Sequence, residues 1–130
     1  MKKRFEYILY TLRHKRAFLH VEKQLRGKNT LHGYLHDIDK IFLYLFCFWM
    51  DLDQIQNFHR KHNCHHVNNK LKKNDENRLD TIIDWECARQ TKKDKPLNAY
   101  QTLVSHYPDY KKLYMPIIQK YLPHQIPKNK

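Results

Sequence analysis

Tyr34-Leu35-His36-Asp37-Ile38-Asp39-Lys40-Ile41-Phe42-Leu43-Tyr44-Leu45-Phe46-Cys47-Phe48-Trp49-Met50 contains neither glycine nor proline. Nothing in it forces a break, so the spacing predicts one helix from about Tyr34 to Met50. Its second half, Ile41 to Met50, is apolar on every side but far shorter than the roughly 20 residues that cross a bilayer. That pattern predicts a central core helix. The first half sets an imidazole beside a carboxylate at His36-Asp37. Neighbours on a helix diverge by about 100°, yet both side chains can reach one divalent ion lying between them.

The rest of the chain reads the same way. Glycine occurs only at Gly27 and Gly33 and proline only from Pro96 onward. From Lys3 to about Arg26 the apolar residues fall on two helical faces. Phe5, Ile8, Leu12 and Leu19 form one; Tyr10, Ala17, Phe18, Val21 and Leu25 form the other, which implies burial on two sides. Gly27-Lys28-Asn29-Thr30 reads as a stop and turn. Further helices are expected over Gln54 to Asn68, Asp75 to Thr91 with Asp75 as N-cap, Leu97 to His106, and Asp109 to Leu122 with Pro116 inside. The fold class expected is all-α: a compact single-domain bundle of about five to six helices over 1–122, with a frayed tail at 123–130.

Lys and Arg total 25 against 13 Asp and Glu, a formal net charge of +12. Such a field concentrates anions: nucleotides, nucleic acid or an anionic membrane surface. Cys47, Cys64 and Cys87 are odd in number and lack a C-x-x-C pair, which suits reduced thiols and the cytoplasm. Met1-Lys2-Lys3-Arg4 is similar to the start of a signal peptide, but Glu6 and the run Arg13 to Arg16 interrupt the apolar stretch after it, so no export signal is expected.

Chemistry-bearing residues recur at informative places. His14 shares the Tyr10, Phe18, Val21 and Leu25 face and points inward, whereas His20 sits between Arg16 and Lys23 on a solvated arc. Asp39 and Lys40 add a carboxylate and a cation that can meet a phosphate oxygen. His59, His62 and His66 repeat at intervals of three and four, with His65 turned sideways; they are candidates for a second metal or for phosphate. Asp84, within Ile82-Ile83-Asp84-Trp85-Glu86, faces inward, and a buried carboxylate needs Arg89 or a metal to answer it. Arg60, with Lys40, is a candidate for neutralising charge on a phosphate; Arg89, Lys92, Lys93 and Lys95 are candidates for drawing in an anionic substrate, and Asn98 or Tyr100 for touching it. Tyr107, Tyr110 and Tyr114 read as exposed tyrosines able to stack on nucleic-acid bases.

The order His14, then His36-Asp37, then Asp84 on successive helices resembles the H…HD…D signature of the HD-domain metal-dependent phosphohydrolase superfamily. His36-Asp37-Ile38-Asp39-Lys40 is similar to its frequent HD-I-G-K string, with Asp39 in place of a small residue. His59-Arg60-Lys61-His62-Asn63-Cys64-His65-His66, followed by Asp84-Trp85, further resembles a small, largely uncharacterised HD-like branch known mainly as a domain of unknown function. These motifs cover roughly residues 14–100.

The resemblance implies that His14, His36, Asp37 and Asp84 hold a divalent transition metal: manganese, iron, cobalt, nickel or zinc. One ion is expected, and two where His59 with His65 or His66 supplies a second site. It implies a hydrolase in which an activated water attacks a phosphate ester of a nucleotide or related phosphorylated small molecule. The short apolar run and the absence of an export signal separately lead to the expectation of no membrane partner. The competing expectation is a basic nucleic-acid-binding or interaction protein with a structural or vestigial metal site.

Overall fold

Helix α1 (Lys2–Arg26) stops where Gly27 turns to a φ of 81°, a conformation open to glycine, and the Gly27 N–H caps the Lys23 carbonyl at 3.0 Å. In the computed structural model the chain is described at residues 2–63, 66–67, 73–91 and 97–128. After α1 come α2 (Leu31–Tyr34), α3 (Ile38–Phe46), α4 (Leu52–His62), α5 (Asp75–Thr91), α6 (Ala99–His106) and α7 (Lys111–Tyr121). The described residues contain no strand, and the fold is all-α. Among them no helix is long and apolar enough to cross a membrane.

The helix expected over Tyr34 to Met50 is two helices. Between the single turn of α2 and the start of α3, Asp37 adopts a φ of 59°, the left-handed conformation, the one such non-glycine among the described residues. Aspartate enters this region more readily than most residues because its short polar side chain bonds locally. The reversal buries His36 and Asp37 together, where a continuous helix would separate them.

Local signals set the other boundaries. Asp51 and Gln54 form a reciprocal capping box at the start of α4, as do Asn98 and Gln101 at α6. Helix α4 ends at His62, short of the expected Asn68, with extended backbone at Asn63. The capping expected of Asp75 is done by Asn74, whose side chain accepts from the Asn77 N–H at 2.9 Å. The chain end expected to fray from Pro123 is held: Leu122 is buried, Ile126 packs on the core, and Gln125 accepts from the Tyr100 N–H at 3.2 Å.

The core centres on α5, not on α3. Leu79, Ile82, Ile83 and Cys87 pack against Phe18 and Val21 of α1, Ala99 and Leu103 of α6, and Tyr114, Ile117 and Ile118 of α7. A smaller cluster joins Leu43, Tyr44 and Cys47 to Ile55 of α4. Helix α3 therefore buries one stripe and leaves Ile38, Phe42, Leu45 and Phe46 exposed. Only one of the two faces predicted for α1 is well covered, since Phe5 and Leu12 are exposed.

A buried ionic knot fixes the turn that leads to His36. The Glu22 carboxylate accepts from the Thr30 N–H at 3.0 Å and its hydroxyl at 2.8 Å, and pairs with Arg26. Arg26 also pairs with Asp80 of α5 at 2.7 Å, and His32 reaches the other Asp80 oxygen at 2.6 Å. Gly33 lies against this knot, where a Cβ would overlap the Glu22 carboxylate. Gly33→Ala is expected to lower stability by about 1–3 kcal/mol through overpacking, read as an earlier urea midpoint with an unchanged slope.

Candidate metal centre

Four side chains from three parts of the chain converge under α1. His14 comes from α1, three turns before the helix ends; His36 and Asp37 come from the reversed α2–α3 junction; Asp84 comes from the middle of α5. His14 Nε2 lies 2.6 Å from Asp84 Oδ1, and His36 Nε2 lies 3.1 Å from the same oxygen. Asp37 Oδ2 stands 3.5 Å from His36 Nε2 and 3.9 Å from His14 Nε2. One nitrogen or oxygen from each of the four falls within 4.8 Å of all the others. His14, His36 and Asp37 are buried, and Asp84 keeps 19% of its side-chain surface open to solvent.

These donors suit a divalent transition metal. Bonds of about 2.0–2.2 Å to nitrogen and oxygen place neighbouring ligand atoms roughly 3–4 Å apart, so small side-chain shifts would close the set. Two imidazoles with two carboxylates is borderline chemistry that zinc, iron, manganese, cobalt and nickel all accept. The charge state agrees. Burial is the largest influence on Asp84 and pushes its carboxyl up, but the His14 charge and the hydrogen bonds from His14 and His36 overcome it and hold the carboxyl well below 3.8. Asp37 follows the same logic: burial opposes ionisation, and His36, His59 and Lys40 outweigh it. Two ionised carboxylates thus face two imidazoles in a nearly dry space.

A second group adjoins the first through Asp37. Its Oδ1 lies 2.8 Å from His59 Nε2, while His59 Nδ1 lies 2.7 Å from Asp39 Oδ2. Asp37, Asp39 and His59 are themselves close enough to share an ion. His59 is fully buried between the two carboxylates; burial pulls its pKa down, and the bonds to Asp37 and Asp39 raise it overall. Lys40 Nζ stands 3.8 Å from Asp37 Oδ2. His66 packs edge-on against His59 with ring centroids 4.9 Å apart, and burial drives its pKa down to about 4, so its imidazole is neutral at pH 7.

Other expected site residues lie elsewhere. His62 is exposed, stacked on Phe58, with Nδ1 donating to the Phe58 carbonyl at 2.8 Å. Arg60 is exposed on α4. Arg89 pairs with Glu86 at 2.9 Å, so it is the histidines, rather than Arg89, that answer Asp84. Asn98 serves as the α6 cap, and Tyr100 packs on the core. Tyr114 is buried, and Tyr107 and Tyr110 pack against the core, so the three do not form an exposed stacking platform. His65, Lys92, Lys93 and Lys95 lie outside the described residues.

Several supporting residues were not among the expected site residues. Phe18 stacks on the His36 ring at 3.9 Å between centroids and fixes its plane. The Thr91 hydroxyl donates to the Cys87 carbonyl at 3.1 Å, which leaves its oxygen to accept from His14 Nδ1 at 3.4 Å and directs Nε2 toward the cluster. Asn63 Nδ2 donates to Asp39 Oδ2 at 3.1 Å and to the His59 carbonyl at 3.1 Å, tying Asp39 to the end of α4. The spacing Asp84 to Thr91, two helical turns, is the one clue that could have singled out Thr91.

A separate surface cavity of about 310 Å³, lined by Val21, Glu86, Arg89, Tyr121 and Gln125 among others, shares no residue with this centre. Its charged groups are structurally committed: Arg89 pairs with Glu86 at 2.9 Å, and Glu86 Oε1 accepts from the Ala99 N–H at 2.7 Å and from Gln125 Nε2 at 2.9 Å. Comparison with family models, curated proteins and solved structures returns no match to this chain.

Proposed function

We propose that the protein is a metal-dependent phosphohydrolase of the HD type, acting on a phosphate ester such as a nucleotide. The observation that supports this reading most is the meeting of His14, His36, Asp37 and Asp84, from distant parts of the chain, within 4.8 Å. A divalent ion bound by them would supply an acidified water and polarise a phosphoryl oxygen.

The chain's own residues do the rest. Phe18 and Thr91 hold the two imidazoles in fixed orientations, so the ligand set is preorganised. Asp84 is the partly open member and marks the side from which substrate arrives. Lys40, beside Asp37, is placed to balance negative charge developing on a phosphate. Asp39 and His59 either brace Asp37 or join it in holding a second ion, so the reading accommodates one ion or two.

Metal analysis of protein purified without added chelator is expected to give one or two transition-metal ions per chain. Hydrolysis of a generic phosphodiester or a nucleotide panel should then depend on manganese, cobalt or nickel and vanish in His36→Ala and Asp84→Ala. Metal-free protein that acquires no ion on titration refutes the reading. Bound metal without hydrolysis, together with steeply salt-dependent RNA or DNA binding that survives metal removal, favours the basic nucleic-acid-binding alternative.

A further inference from the structure

The most apolar helix of the chain turns its apolar side outward. Ile38, Phe42, Leu45 and Phe46 of α3, continued by Trp49, recur at helical spacing on the solvent face; Phe42 is 58%, Phe46 59% and Trp49 79% exposed. The Phe42 and Phe46 rings sit 5.0 Å apart, so they form one surface. Helix α1 exposes a second stripe, Phe5, Leu9 and Leu12.

The start of α1 adjoins the end of α3. Helices α1 and α3 run antiparallel, since Arg4 bonds the Tyr44 and Met50 carbonyls at one end and His14 meets Asp37 at the other. At that first end the Arg4 guanidinium also lies over the exposed Phe48 ring at 5.9 Å, so the basic start of α1, with Lys2, Lys3 and Arg4, adjoins the aromatic stretch Phe46 to Trp49. Exposed aromatic residues clustered in this way call for an occupant.

We propose that this face docks on an anionic lipid bilayer, with Phe42, Phe46, Trp49 and Phe5 entering the headgroup boundary. Charge argues for that partner. On the exposed arc of α1, Lys2, Arg13 and Arg16 flank Phe5, Leu9 and Leu12 against one acid, Glu6, and Arg4 lies over the Phe48 ring at 5.9 Å. Asp51 and Asp53 are exposed beyond Trp49, at the edge of the patch. The chain as a whole carries +12. Exposed aromatic residues with Lys and Arg at one end of the patch are the composition of an interfacial face. A second copy is disfavoured because a two-fold contact would set Lys2, Arg13 and Arg16 against themselves. Surface docking needs no spanning helix, so the lack of one among the described residues does not oppose it, although such docking runs against the expectation of no membrane partner.

Vesicle sedimentation tests this with the full chain. Phosphatidylcholine vesicles made anionic with about 30% phosphatidylserine should bind the protein at least ten-fold better than pure phosphatidylcholine and lose it as salt rises. The emission of Trp49 should shift to the blue, and that of Trp85, stacked on Tyr107, should not; Trp49→Phe assigns the signal. Phe42→Asp with Phe46→Asp should weaken binding at least ten-fold, as should Arg13→Glu with Arg16→Glu. Circular dichroism confirms that these surface variants fold. No partition at millimolar lipid, equal partition into neutral vesicles, or partition indifferent to both variant pairs overturns the proposal. So does a concentration-dependent dimer that Phe42→Asp with Phe46→Asp disperses while vesicles bind nothing, which assigns the face to a second copy.

Discussion

Asp37→Asn is expected to abolish stoichiometric metal binding while leaving the protein folded. Asp37 is the one residue shared by both groups of ligand atoms, facing His36 and His14 through Oδ2 and His59 through Oδ1. Losing an orienting partner of a metal ligand costs roughly 10–100-fold in affinity, and losing a charged ligand costs at least that. Asparagine preserves volume and tolerates the left-handed backbone at this position. Its cost to the apo-protein is the exchange of an ionic contact to His59 for a neutral one, about 1–3 kcal/mol. Asp37→Ala adds backbone strain of about 1–2 kcal/mol to that and is expected to melt lower still. Calorimetric titration with zinc or manganese, run beside thermal melts, separates the two effects. His62→Ala is the control: the side chain is exposed and stacked on Phe58, so metal affinity should hold and stability should move by less than about 0.5 kcal/mol. Wild-type affinity in Asp37→Asn would remove Asp37 from the ligand set.

What could be read from the chain, and what could not, divides by the range of the interactions. His14 stood out over His20 because its own helix supplied the inward face, Tyr10, Phe18 and Val21 at helical spacing, and the fold buries His14 and leaves His20 exposed. Asp84 stood out because isoleucines precede it. Its partners did not, since His14 and His36 lie 70 and 48 residues away. The break at Asp37 had no local sign: neither glycine nor proline marks it, and the reversal is held by contacts of His36 and Asp37 to other elements. Hydropathy misplaced the centre of the fold for a related reason. Helix α5 carries Asp80, Glu86 and Thr81 in its buried faces, and each is satisfied by groups from other elements or its own backbone, such as Arg26, the Ala99 N–H and the Asn77 carbonyl. A polar-looking helix can therefore be central, and an all-apolar one such as α3 can be peripheral.

Metal-free protein should lose stability as pH rises from about 6 to 9, and added metal should restore more stability the higher the pH. Burial pulls the pKa of His36 and of His59 down, but Asp37 with Asp84, and Asp37 with Asp39, raise them above 6.5 overall. A group whose folded pKa exceeds its unfolded one contributes stability that is complete below 6.5 and disappears as pH rises through the folded value. The carboxylates act in a different window: Asp37 and Asp84 are held well below 3.8, so their contribution is complete above 3.8 and fades only in stronger acid. Between pH 6 and 9 the falling slope comes from His36 and His59; His66, held down to about 4, opposes it only near pH 6 to 7, and the buried Cys87 thiol, held well above 9.0, adds to it near pH 9. A metal ion reverses the slope, because it binds the deprotonated imidazole and gains affinity as protons leave. At a free metal concentration 100 times the dissociation constant, the stabilisation reaches about 2.7 kcal/mol. Thermal melts in chelator and in excess zinc, at matched ionic strength, should therefore diverge with pH. Asp37→Asn should flatten both curves: it removes the charge that raises His36 and the ligand that would hold the ion. Parallel curves for apo and metal-loaded wild type would mean that the imidazoles at this centre do not exchange protons for metal.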